Sequence, residues 1–306
     1  LGHGDGDNQR VPKQVAAFDG VKSLAAGNAH SLAVVGDEGR VYAWGHNYSG
    51  QCGQGDRGYG TNRSVPTPVP GVGGAIMVAA GGMHSLVLCR DGTVMSCGRN
   101  NFGQLGLGDK VWRSTFLVVT GLPWGVVAVD AGIYHSIAVT LEGAVYTWGR
   151  RLATGHGGDS NTNHLVPKKV TEGGLGDAAV VHVAAGYSHS MALTATGELW
   201  TWGDGNKGQL GHGDKEGSGV PRVVNGTGVV TGMSGGETHS LLTTATGSVL
   251  SFGGNKDMFG QIGGQLGLGA EVEEALTARV VEGITVGGGG DGGGVEESSE
   301  GKEGKE

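Results

Sequence analysis

Short apolar runs come in pairs along most of this chain, and a glycine-containing turn separates the two members of each pair. The clearest pair is residues 185–194 and 198–202, joined through Ala195-Thr196-Gly197. Between the apolar positions of each run the residues are also small or apolar, so both faces of each strand are predicted to be buried. Two such strands around a glycine turn are typical of a β-hairpin. The pattern predicts a β protein whose hairpins are covered on both sides.

The hairpin occurs five times. Each copy begins with an A-G-x-x-H-S-like phrase, runs through both apolar segments to W-G or a related pair, and then reaches G-Q-x-G-x-G-D or a variant of it. The histidines of the five copies are spaced 54, 51, 54 and 50 residues apart. A period of this length predicts a stacked or circular array of units. The repeat histidines are His30, His84, His135, His189 and His239.

A proline with valine three residues later closes most copies, as at Pro66, Pro167 and Pro221. Proline cannot donate to the ladder of a central strand, so this element is predicted to begin an edge strand or to lie just outside one. A unit of several short strands with two buried faces is not stable alone and must pack between copies of itself. That requirement favours a β-propeller blade or a solenoid coil.

The four phrases, in this order and with a period in the low fifties, resemble the repeats of the regulator of chromosome condensation family. The resemblance covers roughly residues 1–281 and implies an all-β fold, a β-propeller that has seven blades in the family. WD repeats are shorter and end in Trp-Asp, and kelch repeats carry a double glycine that does not recur here, so both fit worse.

Both ends of the chain fall within a repeat. Residues 1–5 match the end of the G-Q-L-G-x-G-D phrase, and residues 277–280 match the proline–valine element without its proline. Five repeat cores and two partial repeats predict about five to six blades of an incomplete propeller, from a longer chain or a truncated product. The predicted domains are this propeller, over residues 1–286, and a Gly-rich, acidic, disordered tail over residues 287–306.

Charge and composition exclude several classes of partner. The formal net charge is −8, and the last sixteen residues carry six acidic and two basic side chains. Neither part offers a basic face for phosphates, so no direct nucleic-acid binding is expected. No run of 18 apolar residues exists, so no membrane-spanning segment is expected. Without a targeting signal, the cytoplasm is the expected location and the nucleus is the alternative.

The three cysteines do not form a disulfide framework. An odd count without a signal peptide favours a reducing compartment. With a two-residue turn at Asp91-Gly92, Cys89 is predicted to face Val94, and a longer turn would shift this register by about one residue. Cys89 and Cys97 are therefore predicted to be small core residues.

The repeat histidines are the first candidates for chemistry. One histidine at the same place in each repeat would be dispersed around a ring, too far apart to share a metal ion. We therefore predict a structural imidazole, bonded within its own blade. A serine follows each histidine, but adjacent strand residues point to opposite faces, so the two cannot act as base and nucleophile. No catalytic motif is present, and we expect no enzyme activity, cofactor or metal.

Loop residues that depart from the repeat are the better candidates for function, because blade packing does not require them. Tryptophan with arginine is typical of interface hot spots, although either loop tryptophan would also serve to cover a seam between blades. The predicted partner-binding residues are Arg57, Tyr59, Trp112, Arg113, Trp124, Arg150 and Arg151.

Two functions compete. The first is a non-enzymatic protein-interaction propeller, a scaffold or substrate-recognition module, either alone or within a larger protein such as a HECT-type ubiquitin ligase or a kinase. Its partners would be proteins, such as a small GTPase or a ubiquitin-pathway component. The alternative is a guanine nucleotide exchange factor for a Ran-like GTPase, the activity of the family's founding members. In that case the resemblance implies that the repeat histidines face the GTPase.

Two features of the sequence favour one of these functions over the other, and a third feature excludes photoreception. The incomplete ring and the absence of a basic N-terminal tail favour the interaction propeller over the exchange factor. Plant ultraviolet-B photoreceptors of the same repeat type carry clustered tryptophans in G-W-R-H-T-like phrases, which are absent here. We therefore expect no photoreception.

Overall fold

The computed structural model describes residues 1–15, 18–158, 162–256 and 260–285. Their strands form five antiparallel sheets of four strands each, numbered here as blades 1 to 5 in chain order. Within a blade every strand pairs with the strand that follows it in the chain. The five blades correspond to the five repeat cores, so the predicted all-β propeller architecture is confirmed. The predicted tail over residues 287–306 lies outside the described residues.

The strand bounds are as follows. Blade 1 contains β1 (Val21–Ala26), β2 (His30–Val35), β3 (Arg40–Gly45) and β4 (Arg63–Pro68). Blade 2 contains β5 (Ala75–Ala80), β6 (His84–Cys89), β7 (Val94–Gly98) and β8 (Arg113–Val118). Blade 3 contains β9 (Val126–Ala131), β10 (His135–Thr140), β11 (Val145–Gly149) and β12 (His164–Lys169). Blade 4 contains β13 (Val180–Ala185), β14 (His189–Thr194), β15 (Leu199–Gly203) and β16 (Ser218–Val223). Blade 5 contains β17 (Val230–Gly235), β18 (His239–Thr244), β19 (Ser248–Gly254) and β20 (Glu274–Thr285).

The first strands of the blades pack side by side in the order β1, β5, β9, β13 and β17. They line a central cavity of about 700 Å³. The fourth strand of each blade is the outer edge of its sheet. Pro66, Pro167 and Pro221 lie inside β4, β12 and β16, so the prediction of an edge strand is confirmed, although the prolines do not begin these strands.

The hydrophobic core lies between the blades. Trp148 of blade 3 is fully buried and shares a cluster with Leu86 and Leu88 of blade 2. Trp202 of blade 4 is likewise fully buried in a cluster with Ile137 and Val145 of blade 3. The sheets of blades 2 to 4 therefore bury both of their faces against neighbouring sheets, as the apolar runs predicted. Blade 5 packs against blade 4 alone among the described residues, and alternate residues of its second strand are only partly buried.

Successive loops alternate between the two ends of the strands. The turns between second and third strands, and the connections between blades, lie at one end, called here the turn rim. The connections between first and second strands and between third and fourth strands lie at the other end, called here the loop rim. Two short 3₁₀ segments, Arg151–Thr154 and Glu172–Asp177, are the helices of the described residues. Neither is long and apolar enough to cross a membrane.

The cysteines are core residues, as predicted. Cys52, Cys89 and Cys97 are buried and free. In the hairpin of blade 2, Leu88 lies opposite Val94, and the N–H of Cys89 donates to the carbonyl of Thr93 at 2.8 Å. The register therefore differs by one residue from that of a two-residue turn, because the turn is longer.

Candidate functional site

The repeat histidines lie in the seams, which are the contacts between adjacent blades. Each begins the second strand of its blade, and Nε2 of four of them is hydrogen-bonded to a serine hydroxyl of the next blade. That serine is the one that follows the histidine in the next repeat. The bond therefore crosses the seam and does not stay within one blade, which corrects the sequence prediction. The pairs are His30–Ser85, His84–Ser136 and His135–Ser190 at 2.9 Å, and His189–Ser240 at 3.0 Å.

Each of these serines also donates its hydroxyl proton. The acceptors are backbone carbonyls in the loop between the third and fourth strands of the preceding blade, for example Ser85 to Gln51 at 2.7 Å and Ser136 to Gln104 at 2.8 Å. Since a hydroxyl has one proton, it must accept from the imidazole Nε2–H. Nδ1 of His30, His84 and His189 is buried and has no hydrogen-bond partner among the described residues, so a proton there would be unsatisfied.

Burial keeps the seam imidazoles neutral. They lie away from water, and desolvation disfavours the charged form of a histidine. Burial lowers the pKa of His84 and His135 to about 3, and the pKa of His30 and His189 to about 4. His239 is partly buried, and burial lowers its pKa as well.

The glycine of the A-G-x-x-H-S phrase makes room for this contact. A Cβ on Gly81 would lie 2.3 Å from Cε1 of His84 and 2.4 Å from the carbonyl oxygen of Gly132 in the next blade. Both distances are far below a normal contact, so a side chain here would displace the ring or separate the blades. The A-G-x-x-H-S phrase thus supplies three parts of the seam: the imidazole, the glycine that leaves room for it, and the serine that hydrogen-bonds to the histidine of the preceding blade.

The G-Q-x-G-x-G-D phrase packs against the indole of the next blade. Trp148 donates its Nε1–H to the carbonyl of Gln104 at 2.8 Å, and Trp202 donates to Ala153 at 2.9 Å. The third copy, which lacks the glutamine, therefore keeps the same backbone acceptor. Gly2 faces the Trp44 indole as Gly106 faces that of Trp148, with Nε1 2.9 Å from the site of a Cβ in both cases. Residues 1–5 thus occupy the place predicted for the end of this phrase.

The seam pairs bring an imidazole and a hydroxyl into the contact that a general base and a nucleophile would make. The sequence argument considered only the adjacent serine and did not foresee a pair across the seam. His84 and Ser136 are both 0% exposed, so no substrate reaches them. Among the residues described, moreover, no group of three or more metal-ligating side chains occurs. The pairs therefore join adjacent blades.

Six of the seven predicted partner-binding residues lie on the loop rim. Arg57 and Tyr59 come from blade 1, Trp112 and Arg113 from blade 2, and Arg150 and Arg151 from blade 3. Trp124 does not join them. It is 86% exposed in the connection between blades 2 and 3, on the turn rim beside the blade 2 hairpin.

Arginine and aromatic side chains on the loop rim form a continuous row across blades 1 to 3. Tyr59 packs edge-on against Tyr48, with ring centroids 4.9 Å apart, and Tyr48 packs against Trp112 at 6.3 Å. Phe102 and Tyr134 continue the row with centroids 4.6 Å apart. We call this row the arginine–aromatic strip, and its members are Tyr48, Arg57, Tyr59, Arg99, Phe102, Trp112, Tyr134 and Arg150.

The arginines of the strip stack on its rings. The Trp112 ring centroid lies 5.9 Å from the Arg57 guanidinium carbon and 5.8 Å from that of Arg99. The Tyr134 ring centroid lies 5.6 Å from Arg99 and 5.9 Å from Arg150. These distances are within the range of cation–π attraction. Between blades 1 and 2 the strip borders a shallow cavity of about 450 Å³.

Two predicted rim residues have other roles or partners. Arg113 forms an ion pair with Asp109 at 2.5 Å, and Asp109 also accepts the Val111 N–H at 2.9 Å. Arg113 therefore stabilises the loop between β7 and β8, to which Asp109 belongs. Arg151 begins the 3₁₀ segment of blade 3, and its N–H donates to Asn163 at 3.3 Å.

Sequence reasoning missed Tyr48, Arg99, Phe102 and Tyr134. A signal for two of them is visible in the repeat. Arg99 and Arg150 both directly follow the glycine that ends a third strand, while Tyr134 fills a variable position of the A-G-x-x-H-S phrase. Both positions face the loop rim in every blade, so residues found there in neighbouring repeats are candidates for contact.

A carboxylate ties two blades together at the central cavity. Asp130 of β9 accepts the Ala185 N–H of blade 4 and the N–H of Ala131, both at 2.8 Å. Alanine or serine occupies the same place in the other first strands. Burial raises the Asp130 pKa to about 6, although both hydrogen bonds act to lower it.

Comparison with known proteins matches this architecture. The model of the RCC1-like domain matches residues 1–289. The ultraviolet-B receptor UVR8 of Arabidopsis thaliana is 34% identical over 272 residues, which is 86% of this chain and 60% of that protein. The human E3 ubiquitin-protein ligase HERC2 is 33% identical over 235 residues, 74% of this chain and 5% of the ligase. The chain thus spans less than two thirds of the length of these relatives.

Solved structures show the same fold. Human WBSCR16 superimposes with a TM-score of 0.78 and 25% identity, over 91% of this chain and 73% of that chain. Prp20p of Saccharomyces cerevisiae superimposes with a TM-score of 0.72 and 21% identity, over 86% of this chain and 64% of that chain. With the repeat phrases, the seam contacts and the family match on the same residues, this chain belongs to the RCC1-like domain family.

Proposed function

We propose that this chain is a non-enzymatic protein-interaction module whose loop rim binds its partner through the arginine–aromatic strip. The observation that carries the proposal is the strip itself. Loops of three successive blades bring large rings and guanidinium groups to one surface, at positions that the packing of the blades does not use. Tyrosine, tryptophan and arginine contribute most of the binding free energy at protein interfaces.

The buried seam pairs support a role without catalysis. Each imidazole Nε2 is hydrogen-bonded to a serine of the next blade and is closed to solvent, so the strongest candidates for chemistry join the blades. The same burial weighs against the version of nucleotide exchange in which the repeat histidines face a GTPase. Binding to Gsp1p and histones is recorded for Prp20p, and ligase activity for HERC2. Neither property carries over to this chain from similarity alone.

The test is affinity capture with the full chain as bait and with two matched tryptophan variants. Trp112→Ala removes the centre of the strip, whereas Trp124→Ala removes a more exposed indole on the turn rim. We expect Trp112→Ala to lose the captured proteins and Trp124→Ala to retain them. The melting temperature of both variants should stay within about 4 °C of the parent, since neither indole is in the core.

Two outcomes would contradict the proposal. Equal capture by the parent and Trp112→Ala would place the binding surface elsewhere. A large fall in the melting temperature of Trp112→Ala would make the indole a packing residue. Capture of a small GTPase only in the absence of guanine nucleotide would instead favour the exchange function, which a nucleotide-release assay would then measure.

A further inference from the structure

Three arginines of the strip have no carboxylate partner among the described residues. Neighbouring arginines on the loop rim do have one, because Arg63 pairs with Asp56 at 2.7 Å and Arg113 pairs with Asp109 at 2.5 Å. The arginines without an acidic partner are Arg57, Arg99 and Arg150, and aromatic rings hold all three. The rim thus contains two kinds of arginine: those that pair with a carboxylate and fix a loop, and those that lie over rings and have no carboxylate partner in the described part of the chain.

The contacts with the rings do not use the N–H donors of these arginines, because cation–π attraction requires no hydrogen bond. Arg57 makes one long hydrogen bond of 3.4 Å, to the carbonyl of Trp112. The Nε of Arg99 is buried and therefore out of reach of an external acceptor, and Nη1 of the same side chain donates to the Met83 sulfur at 3.8 Å. The other Nη donors of the three groups are the ones that an external acceptor would use.

The spacing of the three charges suits an extended chain. Arg57 and Arg99 flank the Trp112 ring, and Arg99 and Arg150 flank the Tyr134 ring, so neighbouring charge centres are separated by at most about 12 Å. An extended peptide advances about 3.3 Å per residue. Carboxylates two to four residues apart on such a peptide would reach successive arginines, and its apolar atoms would lie on the rings between them.

We infer that the arginine–aromatic strip binds an extended, carboxylate-rich segment of a partner protein. This inference rests on the proposed function and specifies the chemistry of the partner. A carboxylate pairs with two donors of one guanidinium in a planar, bidentate geometry, which makes aspartate and glutamate the matching acceptors. The strip thus concentrates three cationic side chains in a chain whose net charge is −8.

The surroundings favour an acidic peptide over a nucleic acid. Asp56 and Asp109 lie on the same rim, in the loops between third and fourth strands, and Glu237 lies there in the loop between the first and second strands of blade 5. A polynucleotide carries a charge at every residue and needs a basic track along its backbone. A peptide can place its few carboxylates opposite the three arginines and uncharged residues opposite the acids.

The probe is a fluorescein-labelled peptide of twelve residues with six glutamates among glycine and serine, titrated with the full chain and followed by fluorescence anisotropy. Its control is the same peptide with glutamine in place of glutamate. We expect saturable binding of the glutamate peptide, at least tenfold weaker binding of the glutamine peptide, and loss of affinity as salt rises from 50 to 200 mM, about the range over which surface charges become screened.

Matched variants identify the surface. Arg99→Gln should weaken binding of the glutamate peptide about tenfold or more, because it removes the arginine shared by both rings. Arg90→Gln removes an exposed arginine on the turn rim and should leave the affinity unchanged. Circular dichroism and the melting temperature of both variants confirm that the fold is retained.

Several results would overturn the inference. These are no saturable binding up to about 1 mM chain, equal binding of the two peptides, or equal loss in both variants. Tighter binding of a twelve-residue oligothymidylate would favour nucleic acid. Dimerisation that the peptide displaces would make a second copy the occupant, and tighter peptide binding after removal of residues 291–306 would make it the chain's own acidic segment. If Trp112→Ala still abolishes protein capture while the glutamate peptide does not bind, the proposed function stands and this inference fails.

Discussion

The buried histidines of the seams predict that the fold is lost in mild acid. An unfolded histidine has a pKa near 6.5, whereas burial lowers the pKa of His84 and His135 to about 3 and that of His30 and His189 to about 4. The folded chain therefore binds fewer protons than the unfolded chain between pH 6.5 and about 4. The contribution of these histidines to the free energy of unfolding is fully present above pH 6.5 and is lost as the pH falls from 6.5 to about 4.

The expected slope is steep. Each buried histidine that is neutral when folded and charged when unfolded lowers the free energy of unfolding by about 1.4 kcal/mol per pH unit. The four histidines together give about 5 kcal/mol per pH unit around pH 5. The raised pKa of Asp130 acts in the opposite direction and offsets a minor part of this slope. Since domains are stable by about 5–15 kcal/mol, we expect the chain to unfold near pH 5.

Urea unfolding followed by tryptophan fluorescence measures this slope directly, at pH values from 7.5 to 5. The matched variant is His84→Gln, which keeps an N–H donor for Ser136 but cannot take up a proton. It should lower the slope by about 1.4 kcal/mol per pH unit, whatever its stability at pH 7.5. A free energy of unfolding that is constant from pH 7.5 to 5, or an unchanged slope in His84→Gln, would refute the assignment of neutral seam histidines.

Three further predictions concern the seams. Gly81→Ala should lower the melting temperature far more than Gly73→Ala, because a Cβ at the first site meets atoms at 2.3 and 2.4 Å and at the second meets nothing within 4 Å; equal effects in thermal unfolding would contradict the steric account. Ser136→Ala leaves the buried Nε2–H of His84 without a partner, whereas the Gln104 carbonyl still accepts the Trp148 N–H. The substitution should cost about 1–3 kcal/mol in urea unfolding, and a neutral result would show that this hydrogen bond does not join the blades. Burial raises the pKa of Cys52 to about 12, so its thiol should stay unmodified by a thiol reagent at pH 8 until urea unfolds the chain, whereas rapid labelling of the folded chain would contradict its burial.

The architecture could be predicted from the sequence because glycine-containing turns separate the apolar runs in every repeat. Apolar pairs around a glycine, and prolines at regular intervals, predicted hairpins and edge strands that the structure contains. The hydrogen-bond partner of each histidine could not be predicted in the same way. The residue bonded to His84 is Ser136, which follows the next histidine 51 residues later, and only the side-by-side packing of blades brings the two together. Spacing along one strand carries no information about contacts across a seam.

The loop rim was only partly predictable for the same reason. Trp112 and Arg57 were found because they depart from the repeat, and Trp124 was grouped with them by composition although it lies at the opposite end of the strands. Arg99 and Tyr134 escaped notice because each belongs to a different phrase of the repeat. Their contact depends on the position of one blade beside the next, which composition does not encode.

Photo-cross-linking in cells tests most directly whether the loop rim is the interaction surface. The photoreactive residue p-benzoylphenylalanine would replace either Tyr59, the strip residue that is 94% exposed, or Trp124, which is 86% exposed on the turn rim. Because the two sites are similarly accessible, they differ chiefly in the rim to which they belong. The account predicts covalent adducts with partner proteins from position 59 and none above background from position 124. Adducts from position 124 alone, or equally from both positions, would contradict it.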